Sequence, residues 1–260
     1  LLFILEMNKC YLFLFVMVTL YSCTPQDPPD NLNPQDPHNT FTDSRDDNVY
    51  KTVTIGEQVW MAENLGYLPS VNYSALSYEA PENETEAFYY VFLYFGTDVT
   101  AAKATNNYKT YGVLYNWPAA LTACPEGWHL PNDVEWTELE NYLIANGYNY
   151  DGTTTSNKIA ISLANAKGWL ASDVVGAIGN TNTAYDAYRN KSGFSALPGG
   201  YRSNMGPFIG VGDFGIWWSS TQYDTYEAWY RILNYNYSDF YRYHVTKKRG
   251  FSVRCVRDSD

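Results

Sequence analysis

The sequence predicts an α+β domain, with two main helices and short antiparallel sheets. Three observations carry this expectation. Aromatic residues reach 17%, with 25 Tyr, 12 Phe and 8 Trp, a load that suits sheet-rich and loop-rich folds better than helical bundles. Two stretches have a capping residue followed by apolar residues at helical spacing, and several short stretches alternate between apolar and polar residues. The chain is also long enough for a sizeable core: 260 residues, 45% apolar and 17% charged, room for one large or two small domains. A net charge of −11 argues against a binder of nucleic-acid backbones, which needs a basic footprint.

The N-terminus reads as a signal peptide over residues 1–22, with the true start expected at Met7. Met7-Asn8-Lys9 gives a short positive region, and CYLFLFVMVTL from Cys10 to Leu20 is almost wholly apolar. Such a run suits a secretory core but falls short of the about 20 residues that span a bilayer. Leu20-Tyr21-Ser22-Cys23 resembles a bacterial lipobox, which makes Cys23 the expected lipidation site and a lipid anchor the expected membrane contact. Residues 23–47 then read as a tether. Five of the twelve prolines fall here, with six Asp against one Arg, and no apolar period runs through it. Acidic Asp27 and Asp30 behind the cysteine resemble surface-export signals, so the expected location is the cell envelope, at the outer membrane.

The folded part is expected over residues 48–258. Tyr50 to Ile55 alternates up to Gly56, and Gln58 to Met61 resumes the pattern, predicting a hairpin about Gly56-Glu57. Residues 66–110 give no clear punctuation. Pro118 to Cys124 suits a short helix with proline in its first turn. Asn132 can cap a longer one, with Glu135 at the capping-box position and Trp136, Leu139 and Leu143 on one face. Ser156 suggests a second main helix, with Ile159 and Leu163 inward and Gly168 beyond its end. Ala228 to Tyr237, Asp239 to Thr246 and Gly250 to Arg257 read as three consecutive strands.

Of the four cysteines, Cys10 leaves with the signal peptide and Cys23 takes the lipid. Cys124 and Cys255 remain, one pair in an oxidising compartment, and a long-range disulfide between them is expected. The alternative, two thiols in a metal or redox site, has no C-x-x-C spacing behind it.

Several blocks together carry a family likeness. Val53-Thr54-Ile55-Gly56-Glu57-Gln58-Val59-Trp60-Met61-Ala62-Glu63-Asn64-Leu65 is one, followed by Tyr111-Gly112-Val113-Leu114-Tyr115-Asn116-Trp117 and Cys124-Pro125-Glu126-Gly127-Trp128-His129-Leu130-Pro131. Phe194-Ser195-Ala196-Leu197-Pro198-Gly199-Gly200-Tyr201-Arg202, Trp217-Trp218-Ser219-Ser220-Thr221 and Gly250-Phe251-Ser252-Val253-Arg254-Cys255-Val256 complete the series. In this order the chain resembles the Fibrobacter succinogenes major paralogous domain. The resemblance implies a C-type-lectin-like fold, close to the formylglycine-generating branch, in secreted proteins and lipoproteins of Bacteroidetes and Fibrobacter relatives. It implies no defined molecular role.

No enzyme chemistry is expected. The formylglycine-generating branch uses a close cysteine pair, whereas Cys124 and Cys255 lie far apart. His38, His129 and His244 are scattered, and no H-E-x-x-H, G-x-S-x-G or P-loop string occurs. The Glu-Pro-Asn and Trp-Asn-Asp strings of calcium-dependent lectins are missing, and Asp213 in the Gly210 to Asp213 loop reads as a turn residue, so neither metal nor cofactor is expected. Aromatics remain as the lead. Sugar rings stack their C–H faces on Trp and Tyr, and Tyr223, Tyr226, Trp229, Tyr235, Tyr237, Tyr241 and Tyr243 crowd the last hairpin. Trp217 and Trp218 in one strand must point to opposite faces. Trp128, Trp136, Trp169 and one of that pair are expected to fill the core. The candidate ligand contacts are therefore Trp218, Tyr223, Tyr226, Trp229, Tyr235, Tyr237 and Tyr241. The expected role is a non-catalytic surface binding or adhesion module for a glycan or an envelope protein. The alternatives are a structural envelope protein without a small ligand, or a degenerate relative of the formylglycine-generating enzymes.

Overall fold

The structure is a computed structural model and describes residues 39–74 and 85–259. The expected signal peptide, Cys23 and the first part of the tether lie outside the described residues. Strands β1 (Asn39–Thr42), β2 (Val49–Ile55) and β3 (Gln58–Met61) come first, then β4 (Tyr89–Tyr90). Helices α1 (Val99–Ala104) and α2 (Asn106–Tyr111), strand β5 (Leu114–Tyr115), helix α3 (Trp117–Ala120) and strand β6 (Trp128–His129) follow. Next are α4 (Asp133–Ala145), α5 (Ala160–Leu163), β7 (Gly199–Arg202) and β8 (Phe208–Val211). Strands β9 (Phe214–Gln222), β10 (Glu227–Asn234), β11 (Tyr241–Thr246) and β12 (Val256–Arg257) close the chain. All lie in one unit, Asn33–Asp260, of mixed α/β character. No helix among the described residues is long and apolar enough to cross a membrane.

The sheets are small and antiparallel: one ordered β1-β2-β3-β12-β6, one ordered β11-β10-β9, and the pairs β4-β5 and β7-β8. The β2–β3 hairpin forms as the alternation predicts, with Ile55 opposite Gln58. Helix α4 begins with the full capping box. The Asn132 side chain accepts from the backbone of Val134 and Glu135, and Glu135 accepts in return from the Asn132 N–H at 2.7 Å. Its buried face is Trp136, Leu139 and Leu143, as the spacing requires.

Strand β9 runs between two cores. Trp217 faces a cluster with Trp60, Trp136, Phe194 and Phe240, while Trp218 faces another with Tyr115, Phe251 and Val253. Ring centroids lie 4.7 Å apart for Trp60–Trp136 and 4.4 Å for Trp218–Phe251, close aromatic contacts of the kind worth about 0.5–1.5 kcal/mol beyond area burial. Both tandem tryptophans are fully buried. Trp218 is therefore a core residue rather than a ligand contact, because the sheet is covered on both sides.

Four other expectations change. Among the described residues only α4 is a long helix, and Ser156 caps nothing: its backbone sits at φ 64°, outside helical geometry, and α5 spans Ala160–Leu163 alone. Residues 66–110 hold α1 and α2, capped by Asp98 and Thr105. The last stretch does not continue the β10–β11 meander. It crosses between the cores and adds Val256 opposite both Trp60 and His129. Finally, the end of the expected tether is folded. Phe41 in β1 packs on Trp128 at 5.2 Å, and buried Asp43 pairs with Arg45, whose guanidinium also reaches the Ala123 carbonyl at 2.8 Å.

The disulfide forms as expected, joining Cys124 to Cys255 with Cα atoms 5.9 Å apart. It fastens the entry to β12 against the loop leading into β6.

Candidate functional site

The last hairpin presents side chains on two faces. Register pairs Trp229 with His244, Tyr230 with Tyr243, Arg231 with Arg242 and Ile232 with Tyr241. Alternation then places Tyr230, Ile232, Tyr241 and Tyr243 on one face, and Trp229, Arg231, Arg242 and His244 on the other.

The first face carries a tyrosine ridge. Tyr230 leans on Phe251 at the core edge and meets Tyr243 at 6.2 Å. Tyr243 and Tyr241 lie 5.8 Å apart with planes only 26° from parallel, and Tyr237 meets Tyr241 edge-on at 5.5 Å. Because β11 is the outer strand of its sheet, these rings run off the core into solvent. Tyr237 is 48% exposed and Tyr243 51%. Burial, and then the Asp239 carboxylate beside it, push the Tyr241 hydroxyl up to about 12, so it stays a neutral donor at ordinary pH.

On the second face Tyr223 stacks on His244, with centroids 3.7 Å apart and planes 9° from parallel. Trp229 is half-buried, and the Arg242 guanidinium covers one ring face at 3.3 Å. Arg242 Nε donates to both oxygens of Asp133, at 2.8 and 3.0 Å, which ties this cluster to the start of α4. Buried Arg231 adds a longer contact to the same carboxylate at 3.4 Å and donates to Thr137 Oγ1 at 2.9 Å. His244 Nδ1 meets Glu227 Oε2 at 2.5 Å.

Among the sequence candidates, Tyr237 and Tyr241 belong to the ridge, and Tyr226 projects from the β9–β10 turn, 62% exposed. Tyr223 keeps one ring face outward. Trp229 is half covered by Arg242, and Tyr235 is half-buried in the β10–β11 connection. Only Trp218 is withdrawn. Tyr243, set aside among the candidates, completes the ridge. The partners Arg242, His244 and Asp133 carried no motif, and only strand register reveals them.

A second polar centre gathers residues from the sequence blocks. Asn64 donates to the Tyr111 carbonyl at 3.0 Å and to Ser252 Oγ at 3.2 Å. Its carbonyl accepts from Trp217 Nε1 at 2.9 Å and from Arg254 at 3.3 Å. Arg254 also donates to the Phe194 carbonyl and stacks over the Phe194 ring. Complete burial pushes its guanidinium down to about 9, against the pull of nearby Glu63. A cleft of about 410 Å³ opens beside this hub, with Lys51, Glu63, Lys109, Asn165 and Ser195 in its walls. Apart from Arg254 Nε, which is buried without a partner among the described residues, the hub's groups bond one another and tie the blocks together.

His129 is held between two carboxylates, with Nε2 2.7 Å from Glu135 and Nδ1 2.5 Å from Asp258. Burial opposes the charged ring, but hydrogen bonds and charge from Asp258 and Glu135 outweigh it and raise the His129 pKa. Asp213 sits in the turn between β8 and β9, its N–H donating to Gly210. Among the described residues no group of three or more His, Cys, Asp or Glu is placed to hold a metal ion.

No curated protein and no solved structure matches the chain. The Fibrobacter succinogenes major domain matches residues 53–257, from the alternating part of β2 to the last residue of β12. With most of the 260 residues matched, the chain belongs to the Fibrobacter succinogenes major domain family.

Proposed function

We propose that the chain is a non-catalytic, lipid-anchored module of the cell envelope, displayed at the outer membrane through Cys23, that binds a glycan through its last hairpin. The observation that carries this reading is the crowding of exposed aromatic rings there. Tyr223, Tyr226, Tyr237 and Tyr243 are all large, exposed side chains of one hairpin and its turns. An exposed phenol presents an apolar face for a pyranose ring and a hydroxyl for its oxygens, at little rotamer cost. Near-parallel Tyr241 and Tyr243 suit a chain of sugars lying along the strand.

The domain is taken as C-type-lectin-like, with loops and a hairpin carried on a closed, disulfide-fastened body. A non-catalytic role fits the fate of His129, whose two ring nitrogens are both engaged by carboxylates that close the helix cap and the C-terminus. Pull-down on insoluble plant, mucin and bacterial polysaccharides tests the reading. Retention on at least one, lost for Tyr241→Ala/Tyr243→Ala, supports it. Folded protein that is retained on none moves the assignment to a protein partner or a structural envelope role.

A further inference from the structure

Strand β11 is the outer strand of its sheet, so one of its edges has no neighbouring strand among the described residues. Lys247 N–H donates to the Tyr226 carbonyl at 3.0 Å, which fixes the alternation along the β10–β11 ladder. The backbone groups of Tyr241, Tyr243 and Val245 turn inward to β10, and those of Arg242 and His244 turn outward. Neither outward residue bonds another described residue through its N–H or carbonyl. The open stretch has two closed ends. Phe240 gives its N–H to Asn157 at 3.0 Å and accepts from the same side chain at 2.8 Å, and the Thr246 carbonyl takes the Arg249 N–H at 3.3 Å. What remains open is residues 241–245, with Tyr243 at the centre.

Proteins usually guard such an edge with proline, lysine, a bulge or a very short strand. Strand β11 has six residues, contains no proline, glycine or lysine, and pairs with β10 without a bulge. The edge strands of the five-stranded sheet are shorter, with four residues in β1 and two in β6. The polar side chains of β11 also lean inward. Arg242 lies over Trp229 and reaches Asp133, while His244 is engaged by Tyr223 and Glu227. These contacts draw both side chains back over the sheet, away from the open edge.

We propose that two copies of the chain pair edge to edge through β11, antiparallel about a two-fold axis at Tyr243. Self-complementarity selects this partner. In that register Arg242 and His244 of one copy oppose His244 and Arg242 of the other, and four main-chain hydrogen bonds use every outward group between the two closed ends. Tyr243 meets Tyr243 across the axis and Tyr241 meets Val245, aromatic and β-branched pairs that strands favour. Cations are not set against each other, because Arg242 faces a His244 whose ring is engaged by the Glu227 carboxylate. A different protein has to match this short window in length and chemistry, whereas a second copy matches it by symmetry. The same patch is used on both sides, so the contact closes at two and does not propagate. Pairing sets two tyrosine ridges side by side on one sheet face, but it goes beyond the glycan reading and does not rest on it.

The test is cysteine scanning on the full chain, with no glycan present. Across an antiparallel pair without mutual hydrogen bonds the Cα atoms stand about 4.5 Å apart, within reach of a disulfide. Tyr243→Cys is therefore expected to form a reducible dimer at least about tenfold faster than Tyr226→Cys or Tyr237→Cys, which are comparably exposed but lie off the axis. Wild type gives the background from the cysteines already in the chain. Adding His244→Pro to Tyr243→Cys removes an outward N–H that β10 does not use, a position where an edge strand accepts proline. It is expected to bring the rate down to that of the other two variants, with a thermal melt that stays cooperative. Equal rates at the three positions mean chance encounter only, and overturn the proposal. So does a Tyr243→Cys advantage that His244→Pro leaves intact.

Discussion

Replacing Cys124 and Cys255 together by alanine removes the single covalent closure seen among the described residues. The bridge spans 131 residues of sequence. In the chain-entropy account, freeing a loop of that length restores about 5 kcal/mol of conformational freedom to the unfolded chain. Strand β12 has two residues, and its ladder consists of Val256 opposite Trp60 and His129 and of Arg257 opposite Trp128. Backbone hydrogen bonds from Met61 to Cys255 at 3.0 Å and from Leu65 to Val253 at 2.9 Å hold the residues just before it. The assay is guanidinium unfolding followed by tryptophan fluorescence, comparing oxidised wild type with the double variant. The expected loss is about 3–5 kcal/mol, with a steeper denaturant dependence because the open unfolded chain exposes more surface. A double variant within about 1 kcal/mol of wild type would refute the reasoning that the bridge anchors the C-terminal strand.

Two further perturbations probe the interior and the C-terminus. Asn64→Leu strands the indole N–H of Trp217 and one donor of Arg254, both in fully buried residues. At about 1–3 kcal/mol per stranded group, a loss of at least about 2 kcal/mol is expected in thermal or denaturant unfolding, and a neutral outcome contradicts the hub. His129 titrates above its ordinary 6.5 in the folded chain, so folding takes up a proton. Its contribution to stability is complete below pH 6.5 and declines as pH rises through the raised folded value. Unfolding free energies from pH 5.5 upward are expected to show that decline in wild type and to lack it in His129→Gln.

Some of this architecture was legible in the sequence because its signals are local. Asn132 and Glu135 lie three residues apart and specify the start of α4 by themselves, and the β2–β3 hairpin is written in its alternation. Cys124 and Cys255 were left once the other two cysteines had been given roles. Other elements were hidden for definite reasons. Helices α1 and α2 bury only Ala102 between them, so periodicity had nothing to register. Ser156 looked like a cap, but the following segment is pinned to distant residues, with Ala160 N–H donating to Ser238 at 3.0 Å. For Trp217 and Trp218 the alternation implies one buried and one exposed face, whereas both faces of β9 are covered. At the candidate site, the hairpin tyrosines were visible as a cluster but their two-sided arrangement depends on register.

The most direct test of the binding reading is a calorimetric titration of an oligosaccharide, cut from whichever polysaccharide retains the protein, into wild type and into Tyr237→Ala/Tyr241→Ala/Tyr243→Ala. At about 1 kcal/mol for each truncated ring contact the three sum to about 3 kcal/mol, so the triple variant is expected to bind about a hundredfold more weakly while melting as wild type does. Equal affinity in the two proteins would contradict the claim that the tyrosine ridge is the binding surface.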